Sequence, residues 1–242
     1  MLRFVWPRAG GDRRHEMAVR WAGDLLSILA VRVRCAGEPP PGGGEGAMIA
    51  ANHVSWADIF VIASVRHTRF IAKSEIRDWP LAGSLAERAG TIFVHRARRH
   101  DAARINSLVH EALASGECVG LFPEGTTTQG DRILKFHSSL FEAAVASRAR
   151  IYPVAVRYEH ADASPHRAAA YVGELTFVQS LALVIRTRET IARLAFAEPV
   201  ETEGRSRHAV AAEAHRRVAS LLGLPLPDTA PGRAGDRPAE SR

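Results

Sequence analysis

Cysteine is scarce in this chain, which has only Cys35 and Cys118 among its 242 residues. Two cysteines so far apart in sequence exclude the disulfide framework of small secreted domains, and we expect both to be free thiols. The eleven histidines are scattered, without the close pairs of zinc and iron sites, so we expect no metal. The absence of a G-x-S-x-G elbow and of a Walker loop argues against hydrolase and nucleotide-binding functions.

Lysine is also rare. It occurs only at Lys73 and Lys135, so the total of 32 lysines and arginines leaves thirty arginines. The net charge of +6 suits an anionic membrane surface or phosphorylated ligands. It would also suit nucleic acid, but the sequence contains no recognised nucleic-acid-binding module.

The N-terminal segment has no long hydrophobic run. Its longest wholly apolar stretch, Ile28–Val31, is far below the ~18 residues of a membrane-spanning helix. Apolar residues nevertheless recur at helical spacing between Met17 and Val33. This pattern predicts an amphipathic helix in the membrane interface, with Trp21 as anchor and nearby arginines meeting anionic lipid. The alternative is a helix that packs on the rest of the protein. The arginines are Arg13, Arg14, Arg20, Arg32 and Arg34.

The segment Asn52–Asp58 places a histidine and a carboxylate five residues apart, after a short apolar strand at 47–51. Five residues of an ideal helix turn through about 500°, which leaves His53 and Asp58 about 140° apart. The two side chains can therefore meet only at a boundary between a strand and a helix. A histidine held there by a carboxylate suits a general base acting on a hydroxyl. Ordinary helix capping with a structural histidine is the alternative interpretation.

A second polar segment, 122–130, follows another apolar strand and combines an acid, two glycines and three threonines. Such a loop brings backbone N–H groups and hydroxyls close to a polar ligand.

Four sequence blocks together resemble the glycerolipid acyltransferases, the family of 1-acylglycerol-3-phosphate acyltransferases often called PlsC. The first block corresponds to the family signature N-H-x-S-x-x-D, and all four follow the family's order over residues 47–156. The blocks are Asn52–Asp58, Gly90–Arg96, Phe122–Thr126 and Ile151–Val156.

The resemblance implies catalytic roles for two residues. His53 deprotonates the acceptor hydroxyl and Asp58 holds the imidazole, so that the hydroxyl oxygen attacks an acyl thioester without an acyl-enzyme. The resemblance also implies substrate-binding residues, namely Arg96, Glu124, Gly125, Thr126 and Lys73, and an acyl-donor-binding residue, Pro153. A solvated surface position is the alternative for Lys73. Glu124 would repel a phosphate unless it organises Arg96, binds hydroxyls or supports its loop.

The third block departs from the family pattern. Many members specific for lysophosphatidate continue Glu-Gly-Thr with Arg and Ser, whereas this chain has Thr127 and Thr128. The form found here also resembles members that acylate lyso-ornithine lipids. The expected function is therefore transfer of a fatty acyl group from acyl-CoA or acyl-carrier protein to the sn-2 hydroxyl of 1-acylglycerol-3-phosphate, giving phosphatidate. Acylation of a lyso-ornithine lipid, or non-catalytic lipid binding on the same fold, is the alternative.

Alternating apolar strands and helices predict an α/β fold, with a mixed, largely parallel sheet flanked by helices and preceded by the N-terminal amphipathic helix. We expect that helix in residues 1–36, the catalytic domain in 37–222 and a disordered tail in 223–242. The predicted strands are 47–51, 69–72, 91–94, 118–122 and 151–157, with edge strands at 169–173 and 191–196. The predicted helices lie near 58–65, 80–88, 100–115, 138–147, 177–186 and 205–222.

No cofactor is expected beyond the acyl donor as co-substrate. The expected partners are the lysolipid, the donor and an anionic membrane surface, and not nucleic acid. Because the first twenty residues lack the continuous apolar core of a signal peptide, we expect a peripheral or monotopic protein on the cytoplasmic face of a bacterial inner membrane. The acyl-chain length, the oligomeric state and the oxyanion stabiliser stay open.

Overall fold

Seven strands form one sheet in the computed structural model, which describes residues 11–227 apart from 43, 79–82, 84–85, 88–90, 95–98 and 188. They are Val31–Ala36 (β1), Ala47–Ala51 (β2), Arg69–Lys73 (β3), Ile92–Val94 (β4), Cys118–Leu121 (β5), Arg150–Glu159 (β6) and Thr190–Phe196 (β7). Their order across the sheet is β1-β7-β6-β2-β5-β3-β4. Only β6 and β7 pair antiparallel, so the predicted mixed, largely parallel sheet is confirmed.

Six α-helices with described bounds cover the two faces of this sheet. They are Gly11–Ile28 (α1), Asp58–Ala63 (α2), Arg99–Ala114 (α3), Glu142–Ala146 (α4), Phe177–Arg186 (α5) and Arg207–Leu222 (α6). Side chains of α1, α2 and α5 share one apolar cluster, and those of α3, α4 and α6 share the other. The predicted helix near 80–88 lies largely outside the described residues, as does most of the predicted tail.

The central strand β2 is buried at all five positions because helices cover both of its faces. Successive side chains of a strand point to opposite faces, and the two clusters divide β2 accordingly. Met48 and Ala50 belong to the cluster with α3, whereas Ile49 and Ala51 belong to the cluster with α1.

The N-terminal helix ends earlier than predicted. Its last residue is Ile28, and residues 31–36, which the prediction included in the helical segment, form β1 beside β7. In the segment Val31–Cys35 apolar residues and arginines alternate, which is the period of a strand, but its parallel partner lies about 160 residues away in sequence. No helix in the described part of the chain is long and apolar enough to cross a membrane.

Two predictions for the later part of the chain were wrong. Residues 169–173 do not form a strand; a 3-10 turn, Arg167–Ala169, leads into irregular backbone in which Tyr171 N donates to Val54 O at 2.9 Å. The strand at 191–196 exists as β7 but is not an edge, because β1 covers its other side. Ala169 and Ala170 are buried, as are most residues of β7, and burial alone does not distinguish a strand from a packed loop.

Asn52 joins the end of β2 to β6 through its side chain. Its Nδ2 donates to the carbonyl of Val156 at 3.0 Å, and its Oδ1 accepts from the N–H of Val156 at 2.7 Å. The side chain is fully buried. The amide thus satisfies two backbone groups of β6 that no water reaches, and it fixes the position where the chain leaves β2.

We expect Asn52→Ala to lower the free energy of unfolding by about 2–4 kcal/mol, since it leaves the buried N–H and C=O of Val156 without partners. Urea unfolding followed by circular dichroism measures this change. Asn106→Ala in α3 is the control, because the Asn106 side chain makes no hydrogen bond to another described residue. Equal stability of the two variants would contradict the bridging role of Asn52.

Candidate active site

The carboxyl ends of β2 to β6 meet at one edge of the sheet because these five strands run in the same direction. The first block forms the turn between β2 and α2 at this edge. There, Nδ1 of His53 lies 2.8 Å from Oδ2 of Asp58. The two side chains therefore meet at the strand-to-helix boundary where the sequence allowed it.

Asp58 is fully buried, and four hydrogen bonds compensate its carboxylate for the loss of water. Oδ2 accepts from the His53 ring and from the backbone N–H groups of Val54 and Ser55, at 2.8 and 3.0 Å. Oδ1 accepts from the hydroxyl of Tyr158 at 2.7 Å. Burial, followed by the charge of Asp58, raises the pKa of Tyr158 well above its usual value, so this hydroxyl remains a donor.

Two contacts orient the imidazole of His53: a hydrogen bond to Asp58 at its edge and stacking on Phe122 at its face. An ionised carboxylate only accepts hydrogen bonds, so Nδ1 carries the proton and Nε2 has a free lone pair. The ring stacks on Phe122, with centroids 4.0 Å apart and planes within 10°, and Phe122 stacks in turn on Phe70. The His53 side chain is 20% exposed, and no described residue bonds its Nε2. A base is thus presented towards solvent.

Glu124 of the third block supports the catalytic turn. Its Oε1 accepts from the backbone N–H of His53 and its Oε2 accepts from that of Leu134, each at 2.8 Å. The residue is buried, and burial raises its pKa against the opposing effect of the two N–H groups. Of the three roles considered for this carboxylate, these contacts match support of the loop.

The threonines at the end of the third block and just after it differ in their surroundings. Gly125 and Thr126 are exposed, and Gly125 adopts a left-handed φ of +74° that favours glycine. The hydroxyl of Thr127 donates to the carbonyl of Tyr171. Thr128 is buried, and its N–H donates to the carbonyl of His53 at 2.8 Å. The departure from the family pattern thus falls on a residue that fastens the loop.

The remaining predicted site residues lie at different depths. Lys73 is the last residue of β3 and therefore lies at the catalytic edge. Arg96, two positions after the end of β4, is outside the described residues. Pro153 is buried inside β6 beside Ala50, and its carbonyl accepts from Ala197 N at 3.0 Å. Any effect of Pro153 on the acyl donor therefore passes through the position of β6.

A family model described as Acyltransferase matches residues 32–157, from β1 through most of β6, and includes all four blocks. The chain belongs to this acyltransferase family. The lyso-ornithine lipid O-acyltransferase of Pseudomonas aeruginosa is 34% identical to it over 215 residues, which are 88% of this chain and 81% of that protein. A protein named lyso-ornithine lipid O-acyltransferase from Rhizobium meliloti is also 34% identical, over 91% of this chain and 78% of its own length.

A shorter stretch of the acyltransferase is similar to a 1-acyl-sn-glycerol-3-phosphate acyltransferase of Neisseria meningitidis. The two are 38% identical over 147 residues, 61% of this chain and 57% of that protein. Among solved structures, PlsC, the 1-acyl-sn-glycerophosphate acyltransferase of Thermotoga maritima, matches with a TM-score of 0.59 and 22% identity. The match covers 86% of this chain and 79% of the other, and it shows a shared fold.

Sequence reasoning missed three residues that build the acyltransferase site. Asn52 and Phe122 entered only as the first residues of the first and third blocks, and Tyr158 received no role. A signal existed for Tyr158, because it shares a face of β6 with the buried Val154 and Val156. A buried tyrosine hydroxyl requires a hydrogen-bond partner, but its partner, Asp58, lies 100 residues away in sequence.

Tyr158→Phe is expected to lower kcat about tenfold with little change in KM, since one buried oxygen of Asp58 loses a hydrogen bond and no longer fixes the carboxylate. Steady-state acyl-transfer kinetics measure both constants. Tyr152→Phe in the same strand is the control, because the Tyr152 hydroxyl makes no hydrogen bond to another described residue. Unchanged kcat in Tyr158→Phe would show that Asp58 does not depend on this hydroxyl.

Proposed function

We propose that the acyltransferase moves a fatty acyl group from an acyl thioester to the hydroxyl of a lysolipid, with His53 as general base. The observation that carries this proposal is the free Nε2 of an imidazole whose Nδ1 is held 2.8 Å from a buried carboxylate. Family membership supplies the reaction class, acyl transfer.

In the proposed reaction, Nε2 of His53 takes the proton of the acceptor hydroxyl as its oxygen attacks the thioester carbonyl. Asp58 stabilises the imidazolium that forms and is itself held by Tyr158 and by the turn. A C–O bond forms, the C–S bond breaks, and the proton leaves with the thiolate of the donor. The donor is acyl-CoA or acyl-carrier protein, and no further cofactor takes part.

For the acceptor we favour a lyso-ornithine lipid over the 1-acylglycerol-3-phosphate that sequence analysis placed first. Position 127 offers no cation, and the Thr127 hydroxyl is used inside the protein, on the carbonyl of Tyr171. Relatives named for lyso-ornithine lipid align with 82–91% of this chain, whereas the Neisseria relatives align with 60–61%.

Phosphatidate formation remains the second candidate. The Neisseria relatives named for it are 38–39% identical in the region that they match. Arg96 and Lys73 are the cations proposed for the phosphate, with Lys73 at the catalytic edge. In either case the substrate is a lipid, and we propose peripheral association with the cytoplasmic face of a bacterial inner membrane.

His53→Ala is expected to lower acyl transfer at least about a thousandfold, because it removes the base while the fold persists. The measurement is transfer from labelled palmitoyl-CoA and palmitoyl-carrier protein, with lysophosphatidate and lyso-ornithine lipid as separate acceptors. His208→Ala, at an exposed position of α6, is the control. Equal transfer by His53→Ala, or no transfer by the wild type with either acceptor, would leave non-catalytic lipid binding as the better explanation.

Thr127→Arg is expected to shift the acceptor preference. The added guanidinium can bind a phosphate, so the ratio of kcat/KM for lysophosphatidate to that for lyso-ornithine lipid should rise about tenfold. Thr127→Val is the matched control, since it removes the hydrogen bond to Tyr171 without adding charge. If both variants lower the two activities alike, position 127 acts only through the loop and does not select the acceptor.

A further inference from the structure

Helix α5 exposes an unusual amount of apolar surface. Val178 is 65% exposed, Ile185 is 58% exposed and Leu183 is 37% exposed. Val178, Ala182 and Ile185 follow the i, i+4, i+7 spacing of one helix face. A group of neighbouring apolar side chains on a protein surface marks a contact with a partner or a membrane.

The opposite side of α5 lies against the catalytic turn. Nε1 of Trp56 donates to Oγ of Ser180 at 3.0 Å, and the Trp56 ring packs edge-on against Phe177 with centroids 5.1 Å apart. Trp56 belongs to the turn between His53 and Asp58. The exposed face of α5 is therefore one helix diameter, about 10 Å, from the turn that carries the base.

The conformation of α5 does not depend on a partner. Thr176 and Gln179 form a capping box, in which the Thr176 side chain accepts from Gln179 N and the Gln179 side chain accepts from Thr176 N at 2.9 Å. Phe177, Ser180 and Val184 are buried beneath the helix. The apolar face is thus held ready for contact.

The end of α1 brings a further apolar residue to the same edge of the sheet. Because β7 runs antiparallel to β6, it begins at the catalytic edge, and β1 begins beside it. Ile28, at the end of α1, is three positions before β1 and 81% exposed. Ile185 is five positions before β7, so both isoleucines lie close to this edge.

The rest of α1 is already used inside the protein. Ala18, Ala22 and Leu26 are buried, and Trp21 packs against Phe60 of α2 with centroids 6.0 Å apart. These contacts match the alternative considered for this helix, packing on the domain. Trp21 and Leu25 of the face that was expected to meet a membrane therefore pack on the core, whereas Ile28 of that face and several apolar side chains of α5 are exposed.

Basic residues flank the open face. Arg186 is the only charged residue of α5, and exposed Arg167 lies in the 3-10 turn that contacts this helix. Neither forms an ion pair with a described acidic residue, whereas nine other arginines do. Of the acids nearby in sequence, Glu189 is paired with Arg32 at 2.9 Å and Glu174 lies in the loop before the helix.

We propose that Val178 and Ile185 of α5, together with Ile28, form the surface that docks on an anionic lipid bilayer, with Arg167 and Arg186 at the level of the lipid head groups. This inference rests on the proposed function, in which the acceptor is a membrane lipid. Docking through α5 places the catalytic turn beside the bilayer, so that a lysolipid reaches His53 without leaving the membrane entirely.

The test compares the double variant Val178→Asn/Ile185→Asn with the wild type in co-sedimentation with vesicles of phosphatidylethanolamine and phosphatidylglycerol. We expect the partition coefficient to fall at least about tenfold, because two largely exposed apolar side chains lose their burial in the bilayer. Arg167→Ala/Arg186→Ala should weaken binding to these vesicles but not to phosphatidylcholine vesicles. Leu221→Asn on α6 is the control, since Leu221 is also an exposed apolar residue, at 38%, but lies on the other face of the sheet.

Transfer to acceptors dispersed in detergent separates this inference from the proposed function. The docking variant should retain wild-type turnover there, with thermal unfolding unchanged, and lose activity only on vesicle-bound acceptor. Vesicle binding equal to that of the wild type, or an equal loss in Leu221→Asn, would overturn the inference. The inference would also be overturned if the wild type did not bind vesicles but sedimented as a dimer, and if the double variant sedimented as a monomer.

Discussion

The buried carboxylate of Asp58 is the constraint on which the catalytic turn depends. Removing a carboxylate from water costs free energy unless hydrogen bonds replace the lost water. Asp58 accepts such bonds from four donors, namely the His53 ring, two N–H groups of the turn and the Tyr158 hydroxyl. These donors come from the turn after β2 and from the far end of β6, and the carboxylate itself lies at the start of α2. The requirement to satisfy one carboxylate therefore fixes the relative position of three elements and the orientation of the imidazole.

A second carboxylate fixes the backbone of the same histidine. Glu124 accepts from His53 N, and Thr128 N donates to His53 O, so the loop after β5 holds both polar groups of the His53 peptide backbone. The imidazole is thus positioned from its side chain by Asp58 and from its main chain by the third block. Both oxygens of Glu124 face backbone N–H groups, so the contacts of this acid are with the turn and the loop that it supports.

The way the helices cover the sheet has consequences at the surface. An amphipathic helix is stable when its apolar side packs against another surface. Helix α1 packs against the catalytic domain, through Leu26 and through the contact of Trp21 with Phe60. The short helix α5 covers Trp56 with one side and leaves Val178 and Ile185 in solvent. Amphipathicity is therefore the same signal in both helices, and only the packing shows which apolar side chains are covered and which stay exposed.

Local patterns in the sequence determined much of this protein. Apolar runs and helical periods located five core strands and most helices within a few residues, and the five-residue spacing of His53 and Asp58 restricted them to an element boundary where they do meet. The tertiary structure alone decided what depends on distant partners: the pairing of β1 with β7, the bridge from Asn52 to Val156 and the hydrogen bond from Tyr158 to Asp58. Local periodicity arises from the geometry of one helix or strand and can therefore be read from the sequence. Buried polar groups pair with whatever group the fold brings near them, and a pattern in the sequence does not predict such a pair when about 100 residues separate the partners.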